Sequence, residues 1–383
     1  MEKDVLDKKI GILGAGQLGK MICEAASDWN LKIHLLDKSD NYPASTICQS
    51  MTIGDFNNYD DVIAFGADKD IVSIEIEGVN VEALAQLEKD GKEVYPSPKS
   101  LAIIKDKGLQ KQFYQTNNIP SSPFKLFDNS SALQQAIDSN QVKFPFVWKA
   151  RTGGYDGKGV AVIKNASDLT ELSDQACLIE DLVEIDKELA VIVARNKSGD
   201  CQAFPMVEME FNPDANLVEY LFCPANVSDD ISEKAEAMAI ELINKYDTCG
   251  LLAIEFFLTR SGDLLINEVA PRAHNSGHHS IESCITSQFQ QFLRAILDLP
   301  LGATHLIRPS VMVNLLGAPG HQGKAKYVGL SKCLNQNGTY LHLYGKAETR
   351  PFRKMGHATL LDADLDAAKE KAKFVKQTLQ IIS

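Results

Sequence analysis

Apolar and polar positions change period several times along the chain, and each change predicts an element. Residues 9–14, Lys-Ile-Gly-Ile-Leu-Gly, form a short apolar run of the kind a buried strand shows. From Gln17 to about Asp28 the apolar positions recur at helical spacing; residues 31–37 predict a second strand, and 71–76 another after a polar stretch. This alternation predicts an open parallel sheet over roughly the first hundred residues. Tyr95-Pro96-Ser97-Pro98 breaks the pattern and marks a boundary. A helix over 99–117 follows, and Ile119-Pro120-Ser121-Ser122-Pro123 turns the chain into a small strand-rich section. Residues 144–191 read as strand, glycine-rich loop, strand, helix, strand. A helix over 231–246, a β-hairpin over 251–268 and a helix over 287–297 come next. Short strands and an amphipathic helix from about 365 to 379 end the chain, which shows no internal repeat, low-complexity segment or heptad pattern.

The length of 383 residues implies two or three domains, because single cores stop growing well before this size. Hydrophobic content of 44% and charged content of 23% are those of a globular protein. No segment approaches the ~20 apolar residues of a membrane span, and residues 1–9 lack the apolar run of a signal peptide, so a cytoplasmic protein is expected. The eight cysteines have neither metal-ligand nor redox spacing and read as free thiols. The net charge of −12 argues against a nucleic acid or an anionic membrane as partner. An acidic chain binds anions only where it concentrates cations, so the places where Lys and Arg gather against the overall sign matter most.

Gly14-Ala15-Gly16-Gln17-Leu18-Gly19 follows a strand and opens a helix, and Asp37 ends the next strand. That is the dinucleotide fingerprint with its ribose-binding acid, and it raises a nicotinamide-dependent oxidoreductase as one reading. The second half of a dinucleotide fold is not evident after residue 98.

A second glycine loop is more specific. The strand ending at Lys149 runs into Arg151, then Gly153, Gly154, Tyr155, Asp156, Gly157, Lys158 and Gly159, four glycines within seven residues. A loop with so little bulk can fold over polyphosphate and present its amides, with the lysines as point charges. The Gly-Lys-Ser/Thr ending of a P-loop is missing. Downstream, Glu180, Asp181, Leu182 and Val183 end an apolar strand; their backbone can meet an adenine edge, and Glu188 can accept from ribose hydroxyls.

Glu255 lies inside the apolar strand 251–259, and Asn267-Glu268 close the return strand. With Ser261-Gly262 as a two-residue turn, Glu255 falls opposite Glu268 on one face. Like charges facing each other across a ladder destabilise it, and a divalent cation removes the repulsion. Oxygen ligands shared with phosphates favour Mg²⁺, with Mn²⁺ as an alternative, and Asn267 adds a neutral contact. Arg272, His274 and Asn275 follow at once. The spacing of His274, His278 and His279 offers at most one i, i+4 pair for zinc, so anion recognition fits this loop better. Near the C-terminus Lys346, Arg350, Arg353 and Lys354 fall within nine residues.

Lys149 with its glycine loop, Glu180 to Glu188, and Glu255 with Asn267-Glu268 resemble the ATP-grasp superfamily. More narrowly, Arg151-Thr152-Gly153-Gly154-Tyr155-Asp156-Gly157, Pro271-Arg272-Ala273-His274-Asn275-Ser276-Gly277-His278 and Arg350-Pro351-Phe352-Arg353-Lys354-Met355-Gly356-His357 resemble the 5-(carboxyamino)imidazole ribonucleotide synthases. The resemblance runs from about residue 9 to 362. It implies an α/β chain of three parts: a parallel-sheet domain over 1–98, an α+β ATP-grasp domain over 99–305 with a small lobe about 120–185 and a large lobe about 186–305, and a small β-rich domain over 306–383. It implies ATP-driven carboxylation of aminoimidazole ribonucleotide by bicarbonate through carboxyphosphate, in a homodimer, with a first glycine turn that binds no dinucleotide. Mapped onto this chain, it places Lys107, Lys149, the loop from Gly154 to Gly159, Glu180 to Val183, Glu188, Asn267 and Glu268 at ATP, and Glu255 with Glu268 at the metal. Arg272, His274 and Asn275 come to the reacting centre, and Glu77, Tyr155, Lys158, Lys346, Arg353 and Lys354 to the ribonucleotide. Lys107 stands where the family often has arginine, Glu75-Ile76-Glu77-Gly78-Val79 replaces Glu-Phe-Glu-Asn-Val, and Gln290 and Phe292 replace an acid and a histidine. The formate-dependent glycinamide ribonucleotide ligases are the nearest rival in the superfamily.

Overall fold

A computed structural model of the chain describes residues 4–154, 159–212 and 217–383. The first part is a five-stranded parallel sheet in the order Ser50–Ile53, Ile33–Asp37, Ile10–Leu13, Ile71–Ile74, Glu93–Tyr95. Its central strands, Ile10–Leu13 and Ile71–Ile74, are buried throughout, which is why they read as continuous apolar runs rather than alternating ones. The edge strand Ser50–Ile53 alternates polar and apolar residues over only four positions and is mostly exposed, so its signal is too short to stand out and it is not predicted.

The predicted helix over 99–117 is two helices, Pro98–Lys105 and Lys107–Thr116, broken at Asp106. Asp106 takes an extended backbone and its carboxylate accepts from the amides of Gly108 and Leu109, capping the second helix. Both oxygens also receive Arg151, from Nε at 2.9 Å and Nη2 at 2.6 Å. The break is therefore made by a partner distant in sequence. It places Lys107 at the start of a helix that faces the strand ending at Ala150.

A small four-stranded antiparallel sheet follows, in the order Phe124–Phe127, Cys177–Asp181, Phe146–Ala150, Val160–Ile163. The segment predicted as helical between its strands is a 3-10 turn, Ala166–Glu171. Among the described residues the rest of the chain builds two small two-stranded sheets and a nine-stranded antiparallel one. Its path runs from the hairpin Gly250–Thr259 and Leu264–Ala270 through Ile185–Arg195, Val207–Asn212 and Leu217–Cys223 into Ser310–Leu316, Lys354–Leu361 and Thr339–Leu343. The C-terminal strands thus extend the sheet of the preceding part.

Helix Asp229–Tyr246 covers one face, packing Ala239, Leu242 and Ile243 on Leu189, Val191 and Val193. The opposite face carries the acids. A second core joins Met21 and Ile22 of the helix Gln17–Ser27 to Phe289, Phe292 and Leu293 of the helix Gln288–Ile296. Burying each such aromatic contributes roughly 1.5–3 kcal/mol, so the first part is held on the second by apolar packing. Among the described residues no helix is long and apolar enough to cross a membrane.

Asp106→Ala removes both the helix cap and the Arg151 pairing. We expect a loss of about 1–2 kcal/mol, read as a lower urea midpoint at unchanged slope. Asp106→Asn, which keeps the cap, should lose less than half as much.

Candidate active site

The hairpin sets the centre of the site. Leu258 pairs with Leu264, and the loop between them is tight, with Gly262 at a left-handed φ of 88°. A bulge lies between the Glu255 and Phe256 pairings, where Asn267 is the extra residue, and beyond it Glu255 pairs with Glu268. The predicted opposition is present, but by two features the sequence reading lacked: a turn one residue longer and a compensating bulge. Without the bulge Glu268 would fall on the other face of the sheet. With it, Asn267 and Glu268 both reach lysines of the neighbouring lobe. Lys149 donates to Asn267 Oδ1 at 2.8 Å, and Lys107 is ion-paired with Glu268.

Glu188 lies opposite Phe257 on the next strand, two residues from Ala190, which is opposite Glu255. Three carboxylates therefore share one face. Burial first, then Glu268 and Glu188, push the Glu255 carboxyl up to about 8. Burial opposes charge on Glu268 too, but the Lys107 ammonium outweighs it and holds that carboxyl low. Burial also raises Glu188. An acid pair so poorly compensated fits a divalent cation at Glu255 and Glu268. The described residues offer no group of three or more His, Cys, Asp and Glu side chains able to hold a metal by themselves.

Glu180 is buried between two lysines, 2.7 Å from Lys111 Nζ and 2.9 Å from Lys149 Nζ. Those cations outweigh the cost of burial and lower its carboxyl. Its side chain is thus engaged in positioning Lys149, which leaves the strand end at Asp181, Leu182 and Val183 as the accessible part of that segment. Lys111 is a site residue the sequence reading missed. It sits one helical turn after Lys107, and i, i+4 spacing was the signal available. Of the glycine loop, Gly154 and Gly159 come together: a Cβ added to Gly159 would lie 3.3 Å from Gly154 Cα. Tyr155, Asp156, Gly157 and Lys158 lie outside the described residues.

After the hairpin, His274 caps the short turn Asn275–Gly277, with Nδ1 2.9 Å from Ser276 Oγ and Nε2 3.7 Å from Glu255 Oε1. The buried Gln288 amide fastens this turn. Its oxygen accepts from His274 N at 3.0 Å, and its nitrogen donates to His274 O at 2.9 Å and to His278 Nδ1 at 3.0 Å. Gly277 is required because a Cβ there would lie 2.3 Å from Ile192 Cδ1. The Asn275 side-chain nitrogen is buried without a partner among the described residues. Arg272 Nε lies 2.8 Å from Glu77 Oε1, which brings the first part of the chain to this turn. Gln288 was the other missed residue; a glutamine on the apolar face of a helix was its signal. In the C-terminal strands Lys346 donates to Lys354 O at 2.7 Å, and Arg353 Nη1 to Glu348 O at 2.7 Å.

The first glycine turn is already filled. Gly16 N and Gly19 N each donate at 2.6 Å to the two oxygens of Glu75, and Ala15 N donates to Asp37 at 2.9 Å. Gly14, at φ 104°, would place a Cβ 2.4 Å from Glu75 Cγ. Glu75 occupies the helix N-terminus where a pyrophosphate would sit, and Asp37 is buried on a backbone amide rather than offered to a ribose.

The comparisons agree with this geometry. Residues 7–105 match the ribonucleotide synthetase preATP-grasp domain, 112–289 the ATP-grasp domain, and 310–371 the phosphoribosylaminoimidazole carboxylase C-terminal domain. The N5-carboxyaminoimidazole ribonucleotide synthase of Bacillus subtilis is 35% identical over 92% of this chain and 91% of its own length. The N5-carboxyaminoimidazole ribonucleotide synthetase of Thermotoga maritima superposes with a TM-score of 0.90 at 41% identity, covering 98% of this chain and 99% of that one. The chain belongs to the N5-carboxyaminoimidazole ribonucleotide synthase family. It is an ATP-grasp ligase. An Aspergillus clavatus synthase solved with ADP and 5-aminoimidazole ribonucleotide is similar at a TM-score of 0.89 and 30% identity, covering 98% of this chain and 99% of that one. The chain spans about two thirds of the length of the fungal phosphoribosylaminoimidazole carboxylases that it also matches.

Two predictions follow from the acids and from the filled turn. Glu255 has a raised folded-state pKa, so its contribution to stability is fully present below about 4.5 and is lost as pH rises through about 8. Glu255→Gln should therefore raise the melting temperature of the metal-free, nucleotide-free protein by about 2–4 °C at pH 9 and by less at pH 5; a larger gain at pH 5 contradicts the assignment. In the wild type, Mg-ATP should raise the melting temperature and NAD should leave it unchanged, since a ligand at a hundred times its Kd stabilises by about 2.7 kcal/mol. A shift with NAD and none with Mg-ATP would reverse the choice between the two glycine loops.

Proposed function

We infer that this chain carries out the carboxylation of 5-aminoimidazole ribonucleotide with ATP and bicarbonate in purine biosynthesis. One observation carries the reading most directly. The turn from Arg272 to His278 touches the acid pair at one end, through His274 and Glu255. At its other end His278 packs at a tilt against His357, three residues beyond Lys354 of the basic cluster, at a ring distance of 4.7 Å. The turn thus joins a phosphate-metal centre to an anion-binding strand.

In this reading Lys107, Lys149, Asn267, Glu268, Glu188, the strand end at Glu180 to Val183 and the loop from Gly154 to Gly159 hold ATP. Glu255 and Glu268 would hold Mg²⁺, or Mn²⁺ in its place; the cation supplies charge neutralisation at the phosphates and polarises them. Bicarbonate takes the terminal phosphoryl group, forming carboxyphosphate and releasing ADP. Its placement falls to His274, Asn275 and Arg272, and Asn275 offers a buried donor with no partner among the described residues. The ribonucleotide amine then attacks the carbonyl carbon, inorganic phosphate leaves, and N5-carboxyaminoimidazole ribonucleotide is formed. Glu77, Lys346, Arg353 and Lys354, with Tyr155 and Lys158, hold the ribonucleotide. Enclosure matters because a short-lived acyl phosphate must meet the amine before it meets water. We place the enzyme in the cytoplasm, in keeping with eight free thiols, and as a homodimer. Its three parts divide at about residues 98 and 305.

The deciding measurement is ATP turnover to ADP and phosphate with bicarbonate, with and without aminoimidazole ribonucleotide. Turnover should need bicarbonate and yield the carboxylated product when the ribonucleotide is present. Formate-driven ligation of glycinamide ribonucleotide in its place would move the chain to the rival family. Arg353→Lys loses planar bidentate phosphate contacts and should raise KM for the ribonucleotide roughly tenfold with KM for ATP unchanged. Equal changes in both would remove Arg353 from the substrate site.

A further inference from the structure

One residue of the C-terminal motif has no role in the site as read from sequence. His357 is fully buried and lies at the centre of a file of three imidazoles. On one side is His278, at the end of the carboxylating turn, with ring centres 4.7 Å apart. On the other is His342, its directly opposed partner on the neighbouring strand, stacked at 4.5 Å and 11°. Each ring is anchored. Gln288 donates to His278 Nδ1, Tyr344 Oη lies 3.1 Å from His357 Nδ1, and His342 Nε2 donates to Glu282 Oε1 at 2.6 Å. The file therefore runs from the helix that fastens the turn to the strands that carry the basic cluster.

Such an arrangement is costly if its only task is to fill space. His357 Nε2 and Glu282 Oε2 are buried and lack hydrogen-bond partners among the described residues, and an unsatisfied buried polar group carries its full desolvation penalty. Apolar side chains of the same volume would avoid that cost. Burial, and then the neighbouring His278 and His342 rings, hold His357 well below the usual imidazole range, so its own ring packs uncharged at neutral pH. Flat rings with defined hydrogen-bond anchors fix separation and tilt, where aliphatic contacts slide.

We propose that His357 is a positioning residue: held between His278 and His342, its ring sets the strand that bears Arg353 and Lys354 at a fixed distance from Arg272 and His274, so that the bound ribonucleotide presents its amine to the carboxyl donor. The proposal rests on the ribonucleotide reading of the C-terminal cluster. Its consequence is coupling. With the strand free to shift, ATP and bicarbonate still react, but the acyl phosphate is lost to water before the amine reaches it.

The test compares His357→Ala, His357→Phe and Tyr344→Phe with wild type in the full chain. Read out are KM for aminoimidazole ribonucleotide, KM for ATP, and moles of ADP per mole of carboxylated product. His357→Ala should raise KM for the ribonucleotide by roughly ten- to a hundredfold, leave KM for ATP within about twofold, and raise the ADP-to-product ratio above one. His357→Phe keeps a planar ring and should restore most of the coupling; Tyr344→Phe should show a smaller loss of the same kind. Should His357→Ala fail to fold, His342→Ala removes the outer, partly exposed ring and carries the same expectation at smaller amplitude. Parallel loss for both substrates, or a ratio that stays at one in these variants, overturns the proposal. A wild type that carboxylates no aminoimidazole ribonucleotide fails at the first step, and then the proposed function and the positioning role fall together.

Discussion

Two carboxylates opposed across one hairpin organise the site. Glu255 and Glu268 are set face to face by a bulge at Asn267 and repel each other on a half-buried sheet face. The neighbouring lobe answers with cations. Lys107 pairs with Glu268, Lys149 binds Asn267, and Glu180 holds Lys149 and Lys111 in place from behind. Removing Glu180, buried with Lys111 and Lys149, would leave their ammonium groups uncompensated, at roughly 3–5 kcal/mol. The site is in this sense a balance of charges between two sheets, and a chain of net charge −12 can bind a polyphosphate because its lysines are gathered on one side of that balance.

The same economy of charge explains why one glycine turn is silent and another is not. In the first, Glu75 reaches the amides of Gly16 and Gly19 from a strand more than fifty residues away, so the helix N-terminus is satisfied within the fold. In the second, Gly154 and Gly159 close the base of a loop beside Lys149, with no carboxylate between them among the described residues. Glycine spacing is a statement about backbone freedom. Which anion comes to the turn is settled by what the rest of the fold brings there.

Position along the chain was the part legible in advance. Hydrophobic period located three of the five parallel strands, the helix at 231–246 and the hairpin to within a few residues, because each is a local consequence of burial on one face or two. Motif order gave the carboxylating turn and the basic C-terminal cluster. Lys111 and Gln288 left only a faint local signal, and Asp106 and Gly277 none, since each acts through a partner brought close by folding: Glu180, the His274 backbone, Arg151 and Ile192. The opposition of Glu255 and Glu268 was reached from a turn length that the fold does not have, and it holds because a bulge restores the register.

By itself the sequence determined which side chains are available and in what order: the acids in an apolar strand, the lysine before a glycine loop, and the turn of Arg272, His274 and Asn275. These are set by covalent neighbours and short-range periodicity, which a linear reading contains. Tertiary structure alone decided which acid meets which base, which glycine turn is filled by a carboxylate, and how the C-terminal strands meet the turn after the hairpin through His278, His357 and His342. Those outcomes depend on register, bulges and the packing of one sheet on another. A one-residue shift would send each of these side chains to the opposite face while leaving the sequence pattern unchanged.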